Sequence, residues 1–279
     1  MNRFSRSWEL IKASARVLGA DKELLVFPIV SAIASLIVSI TFAVPLFLSG
    51  GVNSISQNQF PAVYYLVLFL FYIVQYFVIF FANTALVGAA TIRLKGGDPT
   101  VGDGFRIAFS HFGPILGYSV IAATVGMILR LVSDRSRGVG RFIISLIGFA
   151  WNVATFLVVP ILAVEGIGPV DAIKRSTALL KKTWGEQIIG NFGVGLIFGL
   201  VTFGLILISL PLFYLLISSE IIWGAIALGI VLILLLVLIG LVQSALNGIF
   251  TAAVYQYATN SSTGFFEEGM IKDAFIVRN

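Results

Sequence analysis

Six long apolar stretches leave this chain few ways to fold. They run at about Leu24–Leu48, Ala62–Thr91, Ile115–Val132, Phe142–Val164, Ile188–Ile217 and Ile221–Ala258. Each is near or above the roughly 20 residues that cross a hydrocarbon core. None alternates with a period of two, so none reads as a barrel strand. Only 11% of the residues are charged and 58% are hydrophobic, against about 25% charged in an ordinary soluble domain. A soluble fold of this size cannot hide so much apolar surface, whereas lipid covers it directly. The expectation is an all-α, polytopic bundle of six transmembrane helices, forming one integral membrane domain over residues 1–279. The last stretch is longer than a span needs, and is expected to tilt or to project from the bilayer.

The distribution of Lys and Arg orients the bundle. With the N-terminus inside, the cytoplasmic segments hold Arg3, Arg6, Lys12, Arg16 and Lys22, then Arg93, Lys95 and Arg106, then Lys174, Arg175, Lys181 and Lys182, then Lys272 and Arg278. The outer loops Ser49–Pro61 and Ser218–Glu220 hold none, and only Arg130, Arg135, Arg137 and Arg141 oppose the rule. This predicts a multi-pass protein of the cell membrane with both termini cytoplasmic. Residues Met1–Glu23 carry charges of both signs, and the apolar run after them exceeds the about 7–15 residues of a signal-peptide core. It is therefore expected to be an uncleaved first span. The net charge of +5 suits anionic headgroups, not nucleic acid. With no cysteine and one histidine, the usual zinc site has no ligands, and no cofactor is expected.

Repetition adds detail. A short amphipathic segment precedes each pair of spans. Its apolar stripe is Phe4, Trp8, Ile11, Ala15 and Leu18 in the first, Val101, Phe105, Ala108 and Phe112 in the second, and Val170, Ile173, Thr177, Leu180 and Trp184 in the third. Charged residues flank each stripe, as in helices lying in a membrane interface. Pro99 and Pro169 open the second and third, and His111-Phe112-Gly113 and Thr183-Trp184-Gly185 are expected to close them with a glycine turn. The reading is three pseudo-repeats of cytoplasmic interfacial helix plus transmembrane hairpin. The units are about 1–92, 93–165 and 166–258, with a cytoplasmic tail at 259–279. Trp8, Lys174, Arg175, Lys181, Lys182 and Trp184 are the candidate contacts to anionic headgroups or to a cytoplasmic or membrane protein partner. The oligomeric state stays open.

The second span of each unit carries an asparagine: Asn83, Asn152 and Asn247. An amide in hydrocarbon needs partners. Three amides at similar depth form either interhelical bonds or a polar ligand site. Gln75, Asn191 and Gln243 extend the set, and Gly195 and Gly199 are spaced for close helix approach. Pro160 removes the donor to the Phe156 carbonyl and predicts a kink in the fourth span. Glu165 follows at the membrane boundary, as a functional carboxylate or as the partner of a base such as Lys174 or Arg175. No Asp, Glu, Lys or Arg stands near the middle of any stretch, which disfavours ion-coupled transport. No histidine in a later span can serve Ser119 as a base, and Gly96-Gly97-Asp98-Pro99 lacks the Lys of a phosphate loop. An enzyme is not expected.

Ser7–Leu10 with Ala20–Leu25, Arg93–Gly104 (RLKGGDPTVGDG), and Val159–Gly166 continuing to Gly168–Ser176 resemble the integral membrane family catalogued as domain of unknown function 6159. The last stretch is more loosely similar to the membrane domain fused to some glycerophosphodiester phosphodiesterases. The sequence holds nothing like their catalytic domain, so no catalytic residue carries over. The resemblance implies a prokaryotic integral membrane protein without an assigned reaction. The function expected is that of a scaffold, anchor or accessory subunit. The alternative is a conduit for lipid or a small neutral solute through the bundle.

Overall fold

The computed structural model describes residues 3–48, 62–184, 193–261 and 266. Its helices are α1 (Arg3–Ala20), α2 (Val26–Leu48), α3 (Ala62–Leu94), α4 (Val101–Ser110), α5 (Phe112–Arg135), α6 (Val139–Ala154), α7 (Val158–Glu165), α8 (Pro169–Trp184), α9 (Gly193–Ser218) and α10 (Ile222–Ala258), with a 3₁₀ turn at Lys22–Leu25. No strand occurs among the described residues. Among the described residues, six segments are long and apolar enough to cross a membrane: Lys22–Leu48, α3 from Val63, α5, α6 with α7, α9 from Ile197, and α10.

The packed core lies at one end of these spans. Helix α3 is central and touches α2, α4, α5, α7 and α10. The largest buried cluster joins Leu86, Ala90 and Leu94 of α3 to Leu157 and Ile161, to Leu179 and Leu180 of α8, and to Ile249 and Val254 of α10. Toward the other end the same helices expose their apolar side chains, among them Ile33, Leu36, Leu66, Leu146, Leu207 and Leu234. Such a surface is stable only against lipid. With 37 residues, α10 is continuous and about 55 Å long. Its last third completes the core while its first two thirds face outward.

The short helices α1, α4 and α8 form a cap over that core; α4 lies on it by its predicted stripe, with Val101 and Phe105 packed against the core and Ala108 buried, but α1 and α8 do not. On α1 the buried face is Leu10, Ile11, Ala13, Ser14 and Val17, while Trp8 and Ala15 are exposed. Phe4's side chain lies outside the described residues. On α8 the buried face is Ala172, Ser176, Leu179 and Leu180, while Val170 and Thr177 are exposed. The physical reason is contact with protein. Helix α1 packs against α9 and α10, and α8 against α5, α6 and α7. Small residues allow such approach, so they face inward ahead of larger apolar ones. The turn after α4 also differs from expectation. It falls at His111, with φ −112° and ψ 24°, and Gly113 is already inside α5. Gly185 lies outside the described residues.

The stretches Ala20–Leu25 and Arg93–Gly104 meet at one junction. The Arg93 guanidinium donates to the Ala20 carbonyl (3.0 Å), the Gly97 carbonyl (3.2 Å) and Asp98 Oδ1 (3.0 Å). The Val101 N–H donates to Glu23 Oε2 at 3.1 Å. Thr100 and Asp103 then form a capping box that starts α4. Gly104 lets α4 reach α3. A Cβ there would stand 2.3 Å from Phe27 Cζ and 2.8 Å from the Ala85 carbonyl oxygen. At Gly199 no close approach is found among the described residues, since none of them lies within 4 Å of a Cβ built there. The side chain position of Gly195 lies outside the described residues.

Candidate functional site

The fourth span is broken, and the break builds the site. Pro160 offers no N–H to the Phe156 carbonyl. The helix stops at Ala154, tightens through Thr155–Leu157 and restarts at Val158. There the Phe156 N–H reaches Val153 O (3.2 Å) and the Val158 N–H reaches Thr155 O (3.0 Å). The Leu157 N–H has no helical acceptor and donates instead to Ser176 Oγ of α8 at 3.1 Å; both residues are fully buried. The Val159–Ser176 stretch thus supplies the break and the hydroxyl that satisfies it.

A cleft of about 360 Å³ opens beside this break, between α3, α10 and the fourth span. Its polar lining is Asn83 from α3 and Gln243, Ser244, Asn247 and Thr251 from α10; Phe156 and Val159 close the third side. The Thr251 hydroxyl is committed, donating to the Asn247 carbonyl at 2.7 Å. The amides of Asn83, Gln243 and Asn247 are half-buried, and among the described residues they have no hydrogen-bond partner. Asn83 and Asn247 thus line the same cleft. Asn152 does not join them. It stands in α6 before the break and is exposed. Gln75 has a buried Oε1 without a partner and lies outside the cleft lining. Asn191 lies outside the described residues.

Glu165, at the end of α7, is held on two sides. Its Oε1 accepts from Arg175 Nε at 3.2 Å and from the Tyr255 hydroxyl at 3.1 Å. Gly166 follows in the left-handed conformation, with φ +62°, and a Cβ there would stand 2.7 Å from His111 Nε2. The chain therefore turns tightly from α7 into α8. Lys174, Lys181 and Lys182 point out from α8, with Lys174 only 3.5 Å from Asp171. Trp8 is exposed on α1, with the Lys12 ammonium 5.7 Å from its ring centroid. Trp184 is the last residue of α8, and its side chain lies outside the described residues. Outside the spans, burial raises the Asp21 carboxyl above the usual range although Arg93 pulls it down. Asp103 is held lower by its bonds to Thr100.

Among the described residues, six apolar spans and a packed core at one end of them define a multi-pass helical membrane protein. Within that class, the model of a family of unknown function (DUF6159) matches residues 62–265, and the chain belongs to this family. The match contains the Arg93–Gly104 and Val159–Ser176 stretches; Ser7–Leu10 and Ala20–Leu25 precede it. No curated protein and no solved structure matches the chain. The looser likeness to the membrane domain of some glycerophosphodiester phosphodiesterases has no counterpart in these comparisons.

Proposed function

We propose that this chain is a non-enzymatic protein of the cell membrane, with both termini cytoplasmic, that binds a neutral polar group in the amide cleft. The group is a small solute or the uncharged part of a lipid, and the cleft is its station on a path through the bundle. One observation carries the reading: three partnerless amides line one cleft beside a broken helix. Irregular backbone at membrane depth is tolerated where protein buries it or where it lines a cavity. Unpaired amides in an apolar setting cost about 1–3 kcal/mol each, a cost that a hydrogen-bonding ligand removes. The lining has no charged side chain, which favours a neutral group over an ion.

The test is flux in proteoliposomes, read both with glycerol and with a fluorescent lipid reporter of transbilayer movement. Replacing Asn83 and Asn247 together by Leu is expected to abolish the flux of one of these, while Asn152→Leu leaves it intact. Flux that survives the double replacement in a folded protein overturns the proposal.

A second reading, of a scaffold, anchor or accessory subunit, is favoured by the wet face of α8. Arg175 is taken up by Glu165, but Lys174, Lys181 and Lys182 remain exposed beside the core. Neutralising these three lysines is expected to weaken association of the cap with anionic liposomes, most strongly at low salt. Binding that does not change counts against this role.

A further inference from the structure

A groove of about 640 Å³ lies between α2, α3 and α5. Phe42, Phe71 and Met127 are among its walls, with Phe42 and Phe71 edge to face at 5.5 Å between centroids. Its polar end is made by Tyr72, Arg130 and Asp134. This joins an apolar channel to a cation, within the arginine cluster that breaks the positive-inside pattern.

We infer that the groove between α2, α3 and α5 seats one anionic phospholipid, with its phosphate on Arg130 and an acyl chain along the aromatic wall. Arg130 lies in the last turns of α5, where a long side chain reaches the headgroup level. Its Nη1 donates to the Tyr72 hydroxyl, which aims the guanidinium across the groove. Most of its five donors remain for a phosphate, to which the guanidinium fork is matched. Asp134 does not satisfy it. The closest approach is 4.0 Å with both side chains well exposed, and such surface pairs contribute little. Charge points the same way: residues 130–141 hold four arginines against one aspartate. An anionic headgroup complements that end, and a zwitterionic one does so less.

The full-length chain is taken from nanodiscs of equal phosphatidylglycerol and phosphatidylcholine, and the lipids it retains are counted by native mass spectrometry. Wild type is expected to favour phosphatidylglycerol by about fivefold, the ratio set by roughly 1 kcal/mol per basic residue near a membrane surface. Arg130→Gln is expected to remove that preference, and Tyr72→Phe to reduce it. The Asn83→Leu/Asn247→Leu variant is expected to keep it, which separates this site from the amide cleft. Equal retention of the two lipids by wild type overturns the inference, and that arm stands even if Arg130→Gln fails to fold. A folded Arg130→Gln variant with undiminished preference also overturns it. So does loss of preference only on neutralising Arg135, Arg137 and Arg141, which would mean diffuse attraction and no seat.

Discussion

Removing the Ser176 hydroxyl isolates the energetics of the broken span. In Ser176→Ala the Leu157 N–H loses its acceptor in a fully buried place. Leaving such a donor unpaired costs about 1–3 kcal/mol, or roughly a 5- to 150-fold fall in the folded-to-unfolded ratio. The value depends on Pro160. With Pro160→Ala, residue 160 gains an N–H for the Phe156 carbonyl, and a regular helix returns the Leu157 N–H to Val153 O. Ser176 is then redundant. The cost of Ser176→Ala is expected to fall to about 0.5 kcal/mol or less in that background, a coupling of at least about 0.5–2.5 kcal/mol. Both variants and the double variant would be unfolded reversibly by SDS in mixed micelles, with helix content read by circular dichroism. An equal cost in both backgrounds would refute the reasoning, since surrounding protein and not the proline would then impose the break. A neutral Ser176→Ala would refute it more directly, by showing that the hydroxyl is not needed.

Two further outcomes follow from the cap. Gly104→Ala places a methyl 2.3 Å from a Phe27 ring atom and 2.8 Å from a backbone oxygen. Overpacking of about 1–3 kcal/mol outweighs the gain of up to about 1 kcal/mol from replacing a helical glycine. Thermal unfolding in detergent should show a lower midpoint, whereas Gly19→Ala, where nothing lies within 4 Å, should show an equal or higher one. Asp21 supplies a pH dependence. Its raised pKa means that the folded state binds the proton more tightly than the unfolded state does. Its contribution therefore improves as pH falls through that raised value and worsens as pH rises. The stability of wild type relative to Asp21→Asn is expected to increase from pH 7 toward pH 4; an unchanging difference would contradict the burial of the charge.

What the sequence makes legible is what the bilayer demands. Spans are visible because hydrocarbon tolerates little but long apolar helices, and Pro160 announces its own interruption. The inward faces of α1 and α8 are hidden from a search for stripes. Ala13, Ser14, Ala172 and Ser176 are buried because they are small, and size against a neighbouring helix leaves no hydrophobic period. Asn83 and Asn247 are readable as a pair because each lies on an unbroken helix touching the other's. Asn152 is not, since only Phe156 and Val159 of the fourth span, at and after the break, line the cleft. Arg130 shows only as an exception to the charge rule. Its tie to Tyr72 joins positions far apart in the chain, and no local pattern encodes it.

The one-sided core has a consequence for biosynthesis. The residues α1 buries have their main partners in α9 and α10, the last two of the six spans described. Helix α1 must therefore wait, with Ala13, Ser14 and Val17 uncovered, until α10 has been inserted. Earlier hairpins can enter the bilayer one after another, but the cap closes only when the C-terminal third of α10 arrives. A nascent chain stalled before that point would present an incomplete cap to the quality-control proteases of its membrane.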